Sequence, residues 1–499
     1  MSDFVKDVYL TEQVRELDRT AIEEFNIPSF SLMRRAAEAA FREIQLAWPN
    51  ANHIIVLAGT GNNGGDGYVI ASIALAANLK TKVIQVGDHA KLQGDAKKAH
   101  DMFVENNGFC TAFDEHEFSG CDVIVDALLG TGLTRIVKGD YATAIELANQ
   151  HTAPILSVDV PSGLDANNGC PLGVAIQADS TVTFVGMKLG LLTASGREYS
   201  GKIIFNHLQI PKEVYQSMSS TCQPICKSIQ LSDLHAVLGK RDVDAHKGDY
   251  GHVLVIGGNA GMAGSVMLAA EAAARTGSGL VSVATLPQHA NTALQSCREI
   301  MMHGVASIKE LNPLLKQATV VAIGPGLGQD AWAKKLFSRV LEFDIPMVVD
   351  ADALNLLAGE PLQKESWVLT PHPGEAARLL NSTTKKIQKN RLNSSQTLQN
   401  QYGGVAVLKG SGTLVTSGIA NENETSICTA GNPGMASGGM GDVLTGIIAG
   451  LLAQDLSAYD AACFGVQLHA QSADLAAEDG MRGMLASDLF VPLRKLINS

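Results

Sequence analysis

Short apolar runs recur along this chain, separated by stretches of helical periodicity, and that alternation constrains the fold more than any single residue does. In the first half the runs are His53–Ala58, Val83–Val86, Val123–Leu128, Ile155–Val160 and Thr181–Val185. Tyr68–Asn78 and Tyr141–Gln150 read as helices between them. Glu12–Phe25 and Leu32–Ala47 read as helices ahead of them, the second capped by Ser31. A strand that is apolar at every position is buried on both faces, and parallel neighbours need a crossover helix to connect them. The spacing therefore predicts an α/β fold built on a doubly wound parallel sheet. The pattern starts again with Val253–Ile256, Leu280–Ala284, Val320–Ile323, Met347–Val349 and Val405–Leu408, interleaved with helical stretches such as Val266–Arg275.

At 499 residues the chain is too long for one hydrophobic core. Tyr215–Ser228 is polar, contains Pro224 and lacks periodicity, which predicts one domain over 1–220 and another over 228–499. No sequence repeat relates the halves, so they are expected to be different domains of one class. A formal net charge of −12 with no basic cluster argues against nucleic acid and anionic membranes as partners. The most apolar stretch, Val443 to Ala453, is too short to span a bilayer. The segment Met1 to Thr20 is too charged for a signal peptide. Eight cysteines without a CxxC pair fit reduced thiols in a cytoplasmic protein and offer no zinc motif.

Three motifs of the first half fall at strand ends, where a doubly wound sheet takes its ligands. Five glycines stand between Gly59 and Gly67, after the strand His53–Ala58. That density suits a nest of backbone amides for phosphate ahead of a helix, although a tight strand-to-helix turn would also use glycine. It is not the GxGxxG dinucleotide fingerprint, so hydride chemistry is not implied. The second motif runs from Asp126 to Leu133, and the third from Val158 to Asp165, with Pro161 in a rigid turn. If the three loops converge, Asn63, Asp126 and Ser162 supply only oxygen ligands, which suits a weakly held monovalent cation better than zinc. Asp159 is then the spare acid for proton transfer. Taken singly, each of these residues also suits a cap or a turn.

In the second half Gly438-Gly439-Met440-Gly441-Asp442 leads directly into the apolar stretch that begins at Val443. Glycine amides and a helix N-terminus hold phosphates, and a carboxylate beside them can deprotonate a hydroxyl acceptor. The same run would also serve as a turn with Asp442 as N-cap. Lys409, at the end of a strand, can offset phosphate charge, and Ser411, Gly412 and Thr413 supply donors in a tight turn. His372 lies between two prolines, and Glu375 reads as a helix-start carboxylate.

The segments GNNGGDGYV (61–69), DALLGTGLTR (126–135) and VDVPSGLDANNG (158–169) closely resemble the NAD(P)H-hydrate epimerase family, the YjeF N-terminal domain. The second half resembles the ADP/ATP-dependent NAD(P)H-hydrate dehydratases of the ribokinase-like superfamily. The segments that carry this are Lys247–Gly251, Gly324–Gly328, Thr370–Glu375, Val407–Gly410 and Gly434–Asp442. In order and nearly end to end, the chain resembles the bacterial bifunctional NAD(P)H-hydrate repair family. The resemblance implies an N-terminal Rossmann-like domain and a C-terminal ribokinase-like domain. It implies that Asn62, Asn63, Gly64, Gly65, Asp66, the run Gly130, Thr131, Gly132, Leu133, Thr134, Arg135, Ile136, and Asp159 contact the hydrated nucleotide, with potassium on Asn63, Asp126 and Ser162. In the second domain it implies Ser265, Gly326, His372 and Asp442 at the hydrate. Lys409, Gly410, Ser411, Gly412, Thr413 and Gly441 would hold ADP or ATP, with magnesium on the phosphates. Ser265 stands where relatives often carry Ala, and Arg34-Arg35 replaces a common Glu-Asn.

The chemistry implied is repair of hydrated NADH and NADPH, an isomerase joined to a lyase. Asp442 would activate the C6 hydroxyl for phosphorylation and Asp159 would steady a ring cation during epimer exchange. A homo-oligomer is expected. Two other classes use the same features: a ribokinase-like kinase for a small alcohol, and a non-catalytic nucleotide-binding role for the first domain.

Overall fold

A computed structural model describes residues 6–118, 120–219, 222–290, 297–419 and 422–499. The expected end of the first domain, residue 220, lies outside them. The chain divides into two compact units, Met1–Lys227 and Ser228–Ser499.

In the first unit seven parallel strands form one sheet. From edge to edge they are Phe109–Ala112, Lys80–Gln85, His53–Ala58, Val123–Ala127, Ile155–Val158, Ser180–Phe184 and Lys202–Asn206. In chain order this is 3-2-1-4-5-6-7, with the reversal between the first and fourth strands. Alternate side chains divide two cores: Ile54, Val56 and Val125 pack on one face, Ile55, Leu57 and Ile124 on the other. That split is why these strands read as unbroken apolar runs.

Three local expectations are corrected here. The helix Ser29–Ala47 begins before Ser31, with Pro28 at its N-cap position and no side-chain cap. The glycine-rich segment is not a loop ahead of a helix starting at Tyr68, because the helix Asn62–Ala76 starts inside it. Its glycines permit close packing: a Cβ on Gly64 would sit 2.0 Å from the Gly59 carbonyl oxygen. The strand expected to reach Val160 stops at Val158, because Asp159 turns into the left-handed region, φ 67°.

The second unit repeats the same order. Met301–Gly304, Leu280–Thr285, His252–Ile256, Val320–Ile323, Met347–Val349, Trp367–Leu369 and Val405–Leu408 are parallel. The antiparallel pair Thr413–Ile419 and Glu422–Cys428 extends that sheet. Val253, Val255 and Ala322 face one core, Leu254, Ile256 and Val321 the other. The helix Met440–Leu452 packs on Ala263–Thr276 so closely that a Cβ on Gly446 would lie 2.0 Å from the Ala269 carbonyl oxygen. Gly439 holds the N-cap position with φ 88°, so Asp442 is in the first turn of that helix and is not its N-cap.

Candidate active sites

In the first unit a cleft of about 800 Å³ opens beyond the carboxyl ends of the central strands, at the reversal of strand order. Asn62, Asn63, Asp66, Gly130, Thr131, Gly132, Leu133, Thr134, Arg135 and Asp159 line it. Gly64 and Gly65 are buried in the helix turn behind that wall, and Ile136 is exposed and outside the lining.

Asp159 is not the spare acid the sequence suggested. Its carboxylate accepts from Thr183 Oγ1 (3.2 Å), from the Phe184 amide (3.3 Å) and from the Lys188 ammonium. Lys188 is 1% exposed and also donates to Thr183 Oγ1 (3.0 Å) and the Phe184 carbonyl (2.7 Å). A buried ammonium with three acceptors is stabilised by its partners, and removing one leaves an uncompensated charge. Asp18 and Asp66 line the same cleft, and among the described residues nothing donates a hydrogen bond to either carboxyl. Burial pushes Asp18 up to about 6, with Lys188 opposing and Asp159 adding to it. Burial, then the negative charges of Asp159 and Asp18, push Asp66 well above the ordinary carboxylate range.

Two residues of the oxygen-rich corner expected from sequence, Asp126 and Ser162, meet beside this cleft. Asp126 is fully buried and accepts from Ser157 Oγ (2.8 Å), Ser162 Oγ (2.5 Å), the Ser162 amide (2.8 Å) and the Leu128 amide (3.3 Å). Burial raises its pKa, and the serine donors work against that. The Ser162 hydroxyl also lies 3.1 Å from the Leu129 carbonyl oxygen. Its single proton cannot bridge to both oxygens. Asn63, beside Gly130, has a buried amide nitrogen without a hydrogen-bond partner among the described residues.

In the second unit the residues named from sequence gather at the equivalent strand ends. Burial pushes Asp442 up to about 7, and the charge of Asp350 adds to it. The neighbouring Ser265 hydroxyl and the Lys409 charge oppose the shift. Gly326 adjoins Ser265, since a Cβ there would lie 3.2 Å from the Ser265 Cβ. Gly441 adjoins Lys409 and Asp350, its Cβ position being 3.4 Å from Lys409 Nζ and 3.6 Å from Asp350 Oδ2. His372 Nδ1 accepts from the Gly374 amide (2.9 Å) and caps the helix Pro373–Leu379. Glu375 returns the cap by accepting from the His372 amide (2.8 Å). Burial, then Lys409 and Arg378, lower the His372 pKa, so the ring is held neutral.

Asp350 is the centre that sequence reading missed. It is 1% exposed and accepts from Lys409 Nζ (2.8 Å) and Thr445 Oγ1 (2.8 Å). Burial alone depresses the Lys409 ammonium, but Asp350 and Glu375 overcome that and hold it above its ordinary value. Asp350 carried the same signal as Asp126 and Asp159, an acid at the end of an apolar strand. Lys188 carried one too, as a lone charge inside the apolar run Phe184 to Leu192. Asp18 lies among other charges on an amphipathic helix and carried none.

Fold and site together define a two-unit α/β protein, each unit with ionisable side chains at the reversal of its sheet. Residues 29–190 match the family described as YjeF-related protein N-terminus, and residues 253–495 match NAD(P)H-hydrate dehydratase. The bifunctional NAD(P)H-hydrate repair enzyme of Coxiella burnetii is 47% identical over 493 residues, covering 98% of this chain and 99% of that one. Its Escherichia coli counterpart is 43% identical over 492 residues, covering 98% and 94%. A solved ribokinase-like superfamily protein from Enterococcus faecalis is 31% identical with a TM-score of 0.50, covering 54% of this chain and 95% of its own. The chain belongs to the bifunctional NAD(P)H-hydrate repair enzyme family.

Proposed function

We propose that this protein repairs hydrated NADH and NADPH, with residues 1–220 exchanging the C6 epimers and residues 228–499 dehydrating the S epimer at the expense of ADP or ATP. The observation that carries the reading is Asp442 in the first turn of a glycine-led helix, with a pKa near 7 and a lysine and a second acid beside it. A base works best with a pKa near the operating pH. Asp442 takes the proton of the C6 hydroxyl as that oxygen attacks the terminal phosphoryl group. AMP or ADP departs as the phosphoryl group is transferred; the phosphate then leaves with the electrons of the C6–O bond, pushed by the ring nitrogen, and water takes the C5 proton as the double bond re-forms. Lys409, Gly410, Ser411, Gly412, Thr413 and Gly441 hold the nucleotide, while Ser265, Gly326 and His372 flank the hydrate. Among the described residues no three His, Cys, Asp or Glu are placed to hold a metal ion. Magnesium comes with the donor phosphates, where it supplies charge neutralisation.

In the first unit, loss of the C6 hydroxyl as water needs an acid, and the ring cation needs a counter-charge. Asp66 and Asp18 supply the proton and take it back, and Asp159, fixed by Lys188, faces the cation. Asn63, Asp126 and Ser162 fit potassium. The Ser162 hydroxyl has more oxygen neighbours than protons, and a half-turn of the Asn63 amide would put an oxygen where its nitrogen finds no partner. The protein acts as a cytoplasmic homo-oligomer. Among the described residues no helix is long and apolar enough to cross a membrane.

Incubation with NADPH hydrate and either nucleotide tests the reading. Recovery of the reduced-nicotinamide absorbance supports it. Accumulation of a stable phosphorylated product would instead make the second unit a kinase.

A further inference from the structure

Arg391 opens the helix Arg391–Tyr402 and is 2% exposed, an uncommon state for a guanidinium. Its Nη2 donates to the Leu408 carbonyl (3.0 Å), the Lys409 carbonyl (3.3 Å) and the Gly412 carbonyl (3.2 Å). Its Nη1 donates to Gln388 Oε1 (2.7 Å) and to the Lys409 carbonyl (3.3 Å). Three carbonyls of one turn therefore point down onto a single buried cation. In a trans peptide the following N–H points the opposite way. The Gly410 amide thus faces away from Arg391, while Thr413 enters the sheet opposite Cys428. The turn also closes above, where Thr413 Oγ1 donates to the Gly410 carbonyl (2.9 Å). Gly410, with φ 132°, fits so tightly that a Cβ would lie 3.0 Å from Arg391 Nη1.

We propose that Arg391 is a positioning residue for the nucleotide: its planar fork gathers the carbonyls of the 408–412 turn from below and so aims the turn's amides at the donor phosphates. A lysine could replace the charge but not the fork, because an ammonium is a compact donor without fixed planar geometry. The guanidinium also sets a positive charge under the phosphate position without touching the nucleotide.

The inference rests on reading Lys409–Thr413 as the nucleotide turn, so the test carries a control for that reading. KM for ADP with magnesium, KM for the hydrate, and kcat are measured for the full-length protein and for Arg391→Lys, Gln388→Ala and Lys409→Ala. Displacing a positioned group can cost on the order of 10²-fold, and Arg391→Lys is expected to raise the ADP KM on that scale with the hydrate KM unchanged. Gln388→Ala removes one anchor of the guanidinium while leaving it in place, and is expected to raise the ADP KM less, in the same direction. It supplies the measurement if Arg391→Lys does not fold. An unchanged ADP KM in folded Arg391→Lys, or a rise in both KM values together, overturns the positioning role. If Lys409→Ala leaves the ADP KM unchanged, the reading of the turn fails. If Lys409→Ala raises it and the other two do not, only the role of Arg391 fails.

Discussion

The two units share a strand order and a site location, yet they hold their acids in opposite ways. In the first, the acid expected to act, Asp159, is locked to Lys188, and the carboxyls without donors among the described residues are Asp18 and Asp66. In the second, the acid expected to act, Asp442, is the adjustable one, and Asp350 is locked between Lys409 and Thr445. In each unit, then, one carboxylate is held in an ion pair and another has a raised pKa. The ion pairs set which is which: Asp159 and Asp350 each meet a lysine ammonium, while burial pushes Asp18, Asp66 and Asp442 up.

The sharpest way to break this comparison is to remove one unit's acid and watch the other's reaction. Asp442→Asn is expected to lower dehydration about 10²–10⁴-fold while leaving epimer exchange, followed by NMR, intact. Near wild-type recovery of reduced cofactor would end the assignment. Asp126→Ala is expected to abolish epimer exchange and its stimulation by potassium, because too little negative charge remains to offset dehydration of the ion. Equal wild-type rates in potassium and in a bulky organic-cation buffer would remove the ion from the mechanism.

Lys188→Met tests whether Asp159 is a fixed charge. Leaving a buried charge unpaired typically costs about 3–5 kcal/mol, so the variant should melt earlier and lose epimer exchange. Lys188→Met combined with Asp159→Asn should recover the melting temperature without recovering exchange. Recovery of both would make the pair purely structural.

The smallest expected effect sharpens the other side. Asp442 must be ionised to accept a proton, and its pKa is raised to about 7, so kcat/KM for dehydration should climb with pH through that value and then level. The Ser265 hydroxyl favours the carboxylate, so Ser265→Ala should move the climb to higher pH. A hydrogen bond to a charged group is worth about 1.5 kcal/mol, enough to displace the midpoint of the climb by about one pH unit. A profile that stays in place would show that Ser265 does not reach Asp442 in the working enzyme.

Much of this comparison is legible in the sequence. The strands His53–Ala58, Val320–Ile323 and Val405–Leu408 sit at their expected bounds, because strands buried on both faces leave no polar residue to blur their ends. The strands Trp367–Leu369 and Met301–Gly304 escape it, the first following the polar run Gln363–Ser366 and the second carrying His303 and Gly304 in place of an unbroken apolar run. The glycine-rich start of the helix Asn62–Ala76 misleads. Glycine signals a loop locally, yet Gly64 is there so that the helix start can press against the Gly59 backbone.

Sequence by itself determined the class of fold, the loops at the strand ends and the acid in the glycine-led helix start, because periodicity and dense local motifs need only near neighbours to be read. Tertiary structure alone decided the pairings: Lys188 with Asp159 is 29 residues apart in the chain, Lys409 with Asp350 is 59, and Thr445 with Asp350 is 95. Which carboxylate becomes a fixed charge and which can give up a proton depends on donors and burial brought from distant strands. No local spacing records that.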